Sequence, residues 1–138
     1  MGKAIKDAMT SNPKTVTSDQ TVVDAAKIMK QEDAGVVPIV DGNRLVGVIT
    51  DRDIAITVVA EAKDPQSTRV TEIASRDLVT VDPQQDLDEA LRLMAKHQVR
   101  RLPVVEEDGR LVGILAQADV AQHASDERTG EVVEEISK

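Results

Sequence analysis

The 138-residue sequence contains no phenylalanine, tyrosine, tryptophan or cysteine. Without cysteine, the chain has no disulfide framework, no cysteine-ligated zinc or iron–sulfur cluster and no thiol nucleophile. Without aromatic rings, it lacks the stacking platform on which single-stranded nucleic acids bind. The hydrophobic core must therefore be built from valine, isoleucine, leucine, alanine and methionine.

Positive charge and long apolar runs are also scarce. The 17 lysines and arginines are outnumbered by 25 acidic residues, which gives a net charge of −8 and argues against a nucleic-acid partner. No stretch approaches the roughly 18 to 20 apolar residues of a membrane span. The first six residues contain no hydrophobic signal-peptide core. We therefore expect a cytoplasmic protein that binds neither nucleic acid nor membrane.

The sequence repeats itself after 65 residues, so the chain is a tandem duplication. A repeat of this length indicates two copies of one supersecondary unit. Met29 and Met94 coincide when the two copies are aligned. Each lies at helical spacing from the apolar residues of its predicted helix and is predicted to be a core residue. The matches are Thr15-Val16 with Thr80-Val81, Met29 with Met94, Pro38 with Pro103 and, after one inserted residue, residues 44–47 with 110–113.

Each copy is predicted to fold as β-α-β-β-α. Ser18 and Asp19 are expected to cap the first helix, and the Thr50 hydroxyl is expected to accept the N–H of Asp53 at the start of the second. Residues 5–9 and 70–74 predict short lead-in helices. The predicted strands are 15–17, 36–40 and 45–49 in the first copy and 78–81, 102–105 and 111–115 in the second; the helices are 22–29, 51–62, 87–96 and 117–124.

The duplication predicts a mixed α/β (α+β) fold with two domains. The first repeat is predicted at 1–62 with its lead-in helix, a linker at 63–69, the second repeat at 70–123 and an acidic tail at 124–138. Because a half of about 60 residues is marginally stable alone, we expect the sheets to pack face to face about a pseudo-twofold axis, with ligands in the clefts.

The C-terminal tail combines acidic residues with a short apolar pattern. Val132, Val133 and Ile136 share one helical face, which predicts an amphipathic helix docked on the protein or on a partner. A disordered tail is the alternative.

Two ordered sets of motifs carry a resemblance to a known family. VPIV at 37–40 corresponds to LPVV at 102–105, and LVGVITDRDI at 45–54 corresponds to LVGILAQADV at 111–120. Over residues 5–123 the chain resembles a tandem pair of cystathionine-β-synthase (CBS) domains, the Bateman module, and small bacterial proteins made of little else. The resemblance implies a non-catalytic regulatory and signalling module that binds AMP, ADP or ATP in clefts between the repeats, and it implies a homodimer.

The resemblance also implies roles for particular residues. In family members, an aspartate at the start of the last helix of each copy binds ribose hydroxyls, helped by a hydroxyl residue three places earlier. Positions before the Leu-Pro pair often face phosphates, which guanidinium groups bind in bidentate fashion. The implied nucleotide contacts are Thr50, Arg52, Asp53, Asp77, Val79 and Val99 in one cleft and Asn12, Lys14, Val36, Arg100, Arg101 and Asp119 in the other.

The two implied sites are unequal. Thr50 accompanies Asp53 in the first copy, whereas Ala116 stands where the second copy would need a hydroxyl before Asp119. The arginine pair belongs to the second copy, and Gly35-Val36 takes its place in the first. The strongest ribose signal and the strongest phosphate signal therefore fall in different clefts, so either one site functions or the two sites differ in preference.

Structural interpretations of the same residues stay open. Thr50 and Asp53 can serve only as a helix cap, and Arg100 and Arg101 can be solvated charges or ion-pair partners. An interaction or structural protein with degenerate, empty clefts is the alternative function, and an unidentified protein target fits either interpretation.

Catalysis and resident cofactors are not predicted. The sequence shows no nucleophile–base set, Walker loop or paired-carboxylate signature of an enzyme. With His97 and His123 as its only histidines, it predicts no metal site. We expect no required cofactor, and Mg²⁺ beside a bound nucleotide is the alternative.

Overall fold

The computed structural model describes residues 3–76 and 78–123, which form two compact units. The central unit is Lys14–Leu78, and the terminal unit combines Met1–Pro13 with Val79–Lys138. Each unit contains a three-stranded sheet and helices, which confirms the mixed α/β prediction. Within the described ranges, no helix is long and apolar enough to cross a membrane.

The described parts of the two units contain six strands, four α-helices and two short 3₁₀ helices. The 3₁₀ helices, Ile5–Asp7 and Val70–Glu72, occupy the lead-in segments. The strands are β1 (Thr10–Ser11), β2 (Val16–Thr17), β3 (Val36–Asp41), β4 (Arg44–Thr50), β5 (Arg101–Val105) and β6 (Leu111–Ala116). The α-helices of the described residues are α1 (Val22–Glu32), α2 (Asp51–Asp53, continued as a π-helix over Ile54–Val59), α3 (Leu87–His97) and α4 (Gln117–His123).

The central unit is built on the sheet β2-β3-β4. Strand β2 is parallel to β3, and β3 forms an antiparallel hairpin with β4. Gly42, at φ +63°, supplies the left-handed backbone that the hairpin turn needs. The predicted core residue Met29 is buried in this unit. Its core consists of Val16, Val22, Ala25, Met29, Val37, Ile39, Ile49, Val58 and Val70.

The terminal unit has the sheet order β1-β6-β5, with both pairings antiparallel. Its helix α3 places Leu87, Ala90, Leu91 and Met94 on one buried face, as the helical spacing predicts. Met94 is fully buried, which confirms its prediction as a core residue.

Each lead-in segment packs on the body of the other repeat. Ile5 is buried in the core of the terminal unit, and Val70 is buried in the core of the central unit. Thr10 pairs with Ile114, and Ser75 forms the corresponding bridge to Val48. The compact units therefore differ from the predicted repeats, 1–62 and 70–123, in the lead-in that each contains.

Three local predictions differ from the structure. The strand predicted at 78–81 is reduced to one parallel bridge between Val81 and Val104, because the chain turns at Asp82, whose carboxylate accepts the Gln84 N–H at 2.8 Å. The predicted lead-in helices are single 3₁₀ turns. Ser18 and Asp19 do not cap α1: the helix begins after Thr21, and Asp19 instead accepts a hydrogen bond from the Thr17 hydroxyl, which lowers the pKa of Asp19.

Helix α2 differs from prediction in type. After Asp51–Asp53 the backbone continues as a π-helix over Ile54–Val59. Just beyond it, the Lys63 N–H donates to the carbonyl of Val58, five residues earlier, at 2.9 Å. All residues over Ile54–Val59 except Ala55 are β-branched, and such side chains crowd an α-helical backbone. The corresponding helix α4 is α-helical over Gln117–His123. The predicted tail, 124–138, lies outside the described residues.

Candidate functional site

The start of α2 holds the carboxylate of Asp53 in a fixed position. The Thr50 hydroxyl accepts the Asp53 N–H at 3.0 Å, and Asp53 Oδ2 accepts the Thr50 N–H at 2.9 Å, so the predicted cap is a complete capping box. Oδ1 of Asp53 accepts no hydrogen bond from a described residue. Because both residues are half-buried rather than enclosed, this oxygen can accept from a hydroxyl group of a ligand.

The neighbouring strand end fixes the surroundings of this box. Val36 lies opposite Thr50 in the β3–β4 register, and the Asp51 N–H donates to the Gly35 carbonyl at 2.9 Å. A Cβ added to Gly35 would lie 3.1 Å from Asp51 Oδ2, so a larger residue would press on that carboxylate. Arg52 is exposed beside the box.

The terminal unit repeats this arrangement with different chemistry. Arg101 lies opposite Ala116, and the Gln117 N–H donates to the Arg100 carbonyl at 2.7 Å. Asp119 Oδ2 accepts the Ala116 N–H at 3.4 Å, which is half of the box seen in the central unit. Both arginines and Asp119 are thus gathered at one end of the β5–β6 hairpin.

The two arginines at this hairpin end have no ion-pair partner within the described ranges. Arg100 is exposed and Arg101 is half-buried. The backbone pairing therefore brings both arginine positions to the hairpin end at which the backbone orients the Asp119 carboxylate.

The remaining predicted site residues divide between the two units. Val79 and Val99 are half-buried in the terminal unit and pack against its core. Asn12 is exposed, has φ +53° and directly follows β1. Because β1 is antiparallel to β6, the chain from Thr10 to Asn12 runs away from Ala116. Lys14 is exposed in the central unit. Asp77 lies outside the described residues.

Sequence reasoning missed two backbone anchors of these sites. The carbonyls of Gly35 and Arg100 each accept the first N–H of the following helix, α2 or α4. These hydrogen bonds become visible only once the strands are paired, because donor and acceptor are far apart in the sequence. Residues 35 and 51 are 16 positions apart, and residues 100 and 117 are 17 positions apart. The signal in the sequence was the repeat itself, which aligns the two positions.

Charge effects resolved elsewhere do not involve these residues. On the surface of α3, a hydrogen bond from Arg92 lowers the pKa of Glu89 and raises that of Arg92. Within the described part of the chain, no group of three or more histidine, aspartate or glutamate side chains is arranged to hold a metal ion.

Known proteins share this repeat and this fold. The CBS domain family matches residues 5–59 and 70–126. The chain is 43% identical over 135 residues to the CBS domain-containing protein YhcV of Bacillus subtilis, covering 97% of this chain and 95% of the relative.

Two solved structures of similar fold contain ligands. The CBS domain pair of MJ0100, in complex with 5′-methylthioadenosine and S-adenosyl-L-methionine, is 31% identical, with a TM-score of 0.77 over 88% of this chain and 95% of that one. CBSX2 in complex with AMP is 29% identical, with a TM-score of 0.74 over 88% and 95%. The family match, the relative and the fold agree, and the chain belongs to the CBS domain family, with two CBS domains in tandem.

Proposed function

We propose that this protein is a non-catalytic regulatory module that binds adenosyl compounds, with one ligand held by Asp53 and another by Asp119. The observation that carries the proposal is the capping box, which orients the Asp53 carboxylate and leaves Oδ1 open. An ionised carboxylate accepts hydrogen bonds from vicinal ribose hydroxyls more strongly than a neutral group does. The adenosyl ligands of MJ0100 and CBSX2 support this assignment.

The two units favour different adenosyl ligands. In the terminal unit, Arg100 and Arg101 belong to the same hairpin end as Asp119 and suit a ligand whose ribose carries a phosphate, such as AMP. In the central unit, Gly35 and Val36 occupy the corresponding positions, so the Asp53 site gains less from a phosphate. This unit suits an adenosyl compound such as 5′-methylthioadenosine.

The base is held without aromatic stacking. Because the sequence has no aromatic residue, adenine packs on aliphatic side chains and bonds to backbone groups. The residues proposed to serve these ligands besides the carboxylates and arginines are Asn12, Lys14, Val36, Arg52, Asp77, Val79 and Val99.

Calorimetric titration of the full chain with AMP and with 5′-methylthioadenosine tests the assignment. We expect Asp53→Asn to weaken binding of 5′-methylthioadenosine by about 10- to 100-fold, since a hydrogen bond to a charged group contributes about 1.5 to 3 kcal/mol. Arg101→Gln should weaken AMP and leave 5′-methylthioadenosine unchanged.

A matched control separates the ribose role from a loss of charge. Asp24→Asn removes a carboxylate from the first turn of α1 and should leave both affinities unchanged. Equal affinity in wild type and Asp53→Asn, with both proteins folded, would remove Asp53 from the site. If millimolar AMP and 5′-methylthioadenosine both fail to raise the melting temperature of wild type, the interaction-protein alternative is correct, because a ligand of the native state must stabilise it.

A further inference from the structure

A small pocket lies at the turn end of the β3–β4 hairpin in the central unit. Its volume is about 210 Å³, smaller than the roughly 300 to 1,000 Å³ of a site for a drug-sized ligand. Neither Thr50 nor Asp53 lines it. Val36 pairs with Thr50 at one end of β3, and Asp41 pairs with Arg44 at the other end, about 17 Å away at 3.3 Å per residue. The pocket is therefore separate from the Asp53 site and has room for one small molecule.

Four polar side chains line this pocket and divide into acceptors and donors. Beside the sheet, Asp41 Oδ1 accepts the Ser18 hydroxyl, while Oδ2 accepts nothing from residues 3–76 or 78–123. On the lead-in of the second repeat, the Thr71 hydroxyl lies 3.5 Å from the Ser18 carbonyl, a long contact that leaves it able to donate elsewhere. Arg76 ends the described part of this lead-in, and its guanidinium forms no ion pair with a described acidic side chain. Opposite charges therefore line one pocket without contacting each other.

The pocket is open because the lead-in carries alanine where the other repeat carries methionine. Ala74 and Met9 occupy equivalent positions of the 65-residue repeat. In the terminal unit, Met9 packs against the core, and a Cβ added to Gly113 would lie 2.5 Å from its Sδ. In the central unit, a Cβ added to Gly47 would lie 3.7 Å from the Ala74 Cβ, where that side chain ends. Space that the methionine fills in one unit is left open in the other.

The charges of the lining select a ligand that carries both signs. A simple anion on Arg76 would face the Asp41 carboxylate, and a simple cation on Asp41 would face the guanidinium, so like charges would repel in either case. A zwitterion suits both, because its ammonium donates to Asp41 Oδ2 and its carboxylate accepts from Arg76. The aliphatic part of the lining, which suits a short hydrocarbon side chain, consists of Ile39, Val46 and Ala74.

We propose that this pocket binds a small aliphatic α-amino acid, with its ammonium on Asp41 and its carboxylate on Arg76. The bound amino acid bridges the sheet and the lead-in of the second repeat, and it stabilises the contact between them. Because both charged side chains are exposed, binding weakens as the salt concentration rises. This inference stands on the pocket and does not depend on adenosyl binding.

Titration calorimetry of the full chain with L-valine tests the proposal. Two analogues of valine each keep one of its charges: isovalerate lacks the ammonium, and isobutylamine lacks the carboxylate. We expect valine to bind and to raise the melting temperature, and each analogue to bind about tenfold more weakly or not at all. No binding of valine at millimolar concentration, or an analogue that binds as tightly as valine, would overturn the proposal.

Substitutions then separate the pocket from the fold. Ala74→Met copies the terminal unit, where Met9 packs at the equivalent position, and it should abolish valine binding without lowering the melting temperature. Asp41→Asn and Arg76→Gln should each weaken valine binding about tenfold. Lys96→Gln, which removes one charge at an exposed position on α3, should leave it unchanged. Valine binding that survives Ala74→Met, or that neither charge substitution in the pocket weakens, contradicts the proposal.

Discussion

Single glycines decide how closely a lead-in segment approaches the sheet. In the terminal unit, a Cβ at Gly113 would lie 2.5 Å from Met9 Sδ and 2.9 Å from the Thr10 carbonyl oxygen. At the corresponding Gly47, the nearest atom is the Ser75 carbonyl oxygen at 3.1 Å. The glycine of each Leu-Val-Gly motif is therefore explained by the lead-in backbone that crosses it, and ligand binding is not needed to account for it.

Replacement of these glycines by alanine should destabilise the protein to different extents. We expect Gly113→Ala to cost about 1 to 3 kcal/mol, the usual range for overpacking a tight site. Gly47→Ala should cost less, because its contact is longer and involves one close atom. Urea denaturation of both variants measures the difference. A larger loss of stability in Gly47→Ala than in Gly113→Ala would contradict the role given to Met9 and Thr10. Replacing Met9 by alanine in the Gly113→Ala background should recover only part of the lost stability, because the Thr10 carbonyl still lies close to the new Cβ.

The elements show which parts of the fold the sequence can predict. Helix α1, the β3–β4 hairpin and the Thr50–Asp53 box were predicted because each depends on residues a few positions apart. The packing of Ile5 and Val70 on opposite repeats was not, because two equivalent sheets offer each lead-in the same chemistry and composition cannot choose between them. The π-helix was missed because helical periodicity does not distinguish one extra residue in a turn.

The candidate site divides in the same way. Asp53 and Thr50 form a local motif, whereas Arg101 and Ala116 meet only through strand pairing. Because the repeat aligns the two copies, the place of Arg101 near Ala116 could be predicted from the equivalent positions of the first copy. The repeat could not predict that both arginines lack ion-pair partners among the described residues, since that depends on where each acidic side chain lies in space.

The end of α2 gives a prediction at the scale of one helix. Ala62 has φ +56°, a left-handed conformation that costs a non-glycine residue roughly 1 to 2 kcal/mol. Ala62→Gly should therefore stabilise the protein by up to about 1 kcal/mol in thermal or urea denaturation. Ala60, two residues earlier with an ordinary φ of −65°, is the matched control: Ala60→Gly should destabilise by about 1 kcal/mol. If both variants changed the stability in the same direction, the left-handed conformation at Ala62 would be contradicted.

At the scale of the whole molecule, the missing aromatic residues affect both packing and measurement. Both cores are aliphatic apart from the sulfur of Met29 and Met94. Cores of small side chains fill space through many short contacts. Among the described residues, the core cluster of each unit has nine or ten such residues rather than a few large rings. The same absence leaves the chain nearly transparent where adenine absorbs.

This transparency allows bound nucleotide to be counted directly. After ultrafiltration with saturating AMP, absorbance at the adenine maximum in the protein fraction, less the free ligand, reports bound AMP alone. Because each unit presents one oriented carboxylate, we expect two AMP molecules per chain in wild type, with the Asp119 site filling at a lower AMP concentration than the Asp53 site. At an AMP concentration that just saturates wild type, about one should remain in Asp53→Asn or in Asp119→Asn, and the double variant should retain far less than either. The circular dichroism of each variant checks its fold. A double variant that retains AMP as wild type does would show that the ribose is held by other residues, because neither carboxylate would then be needed for binding.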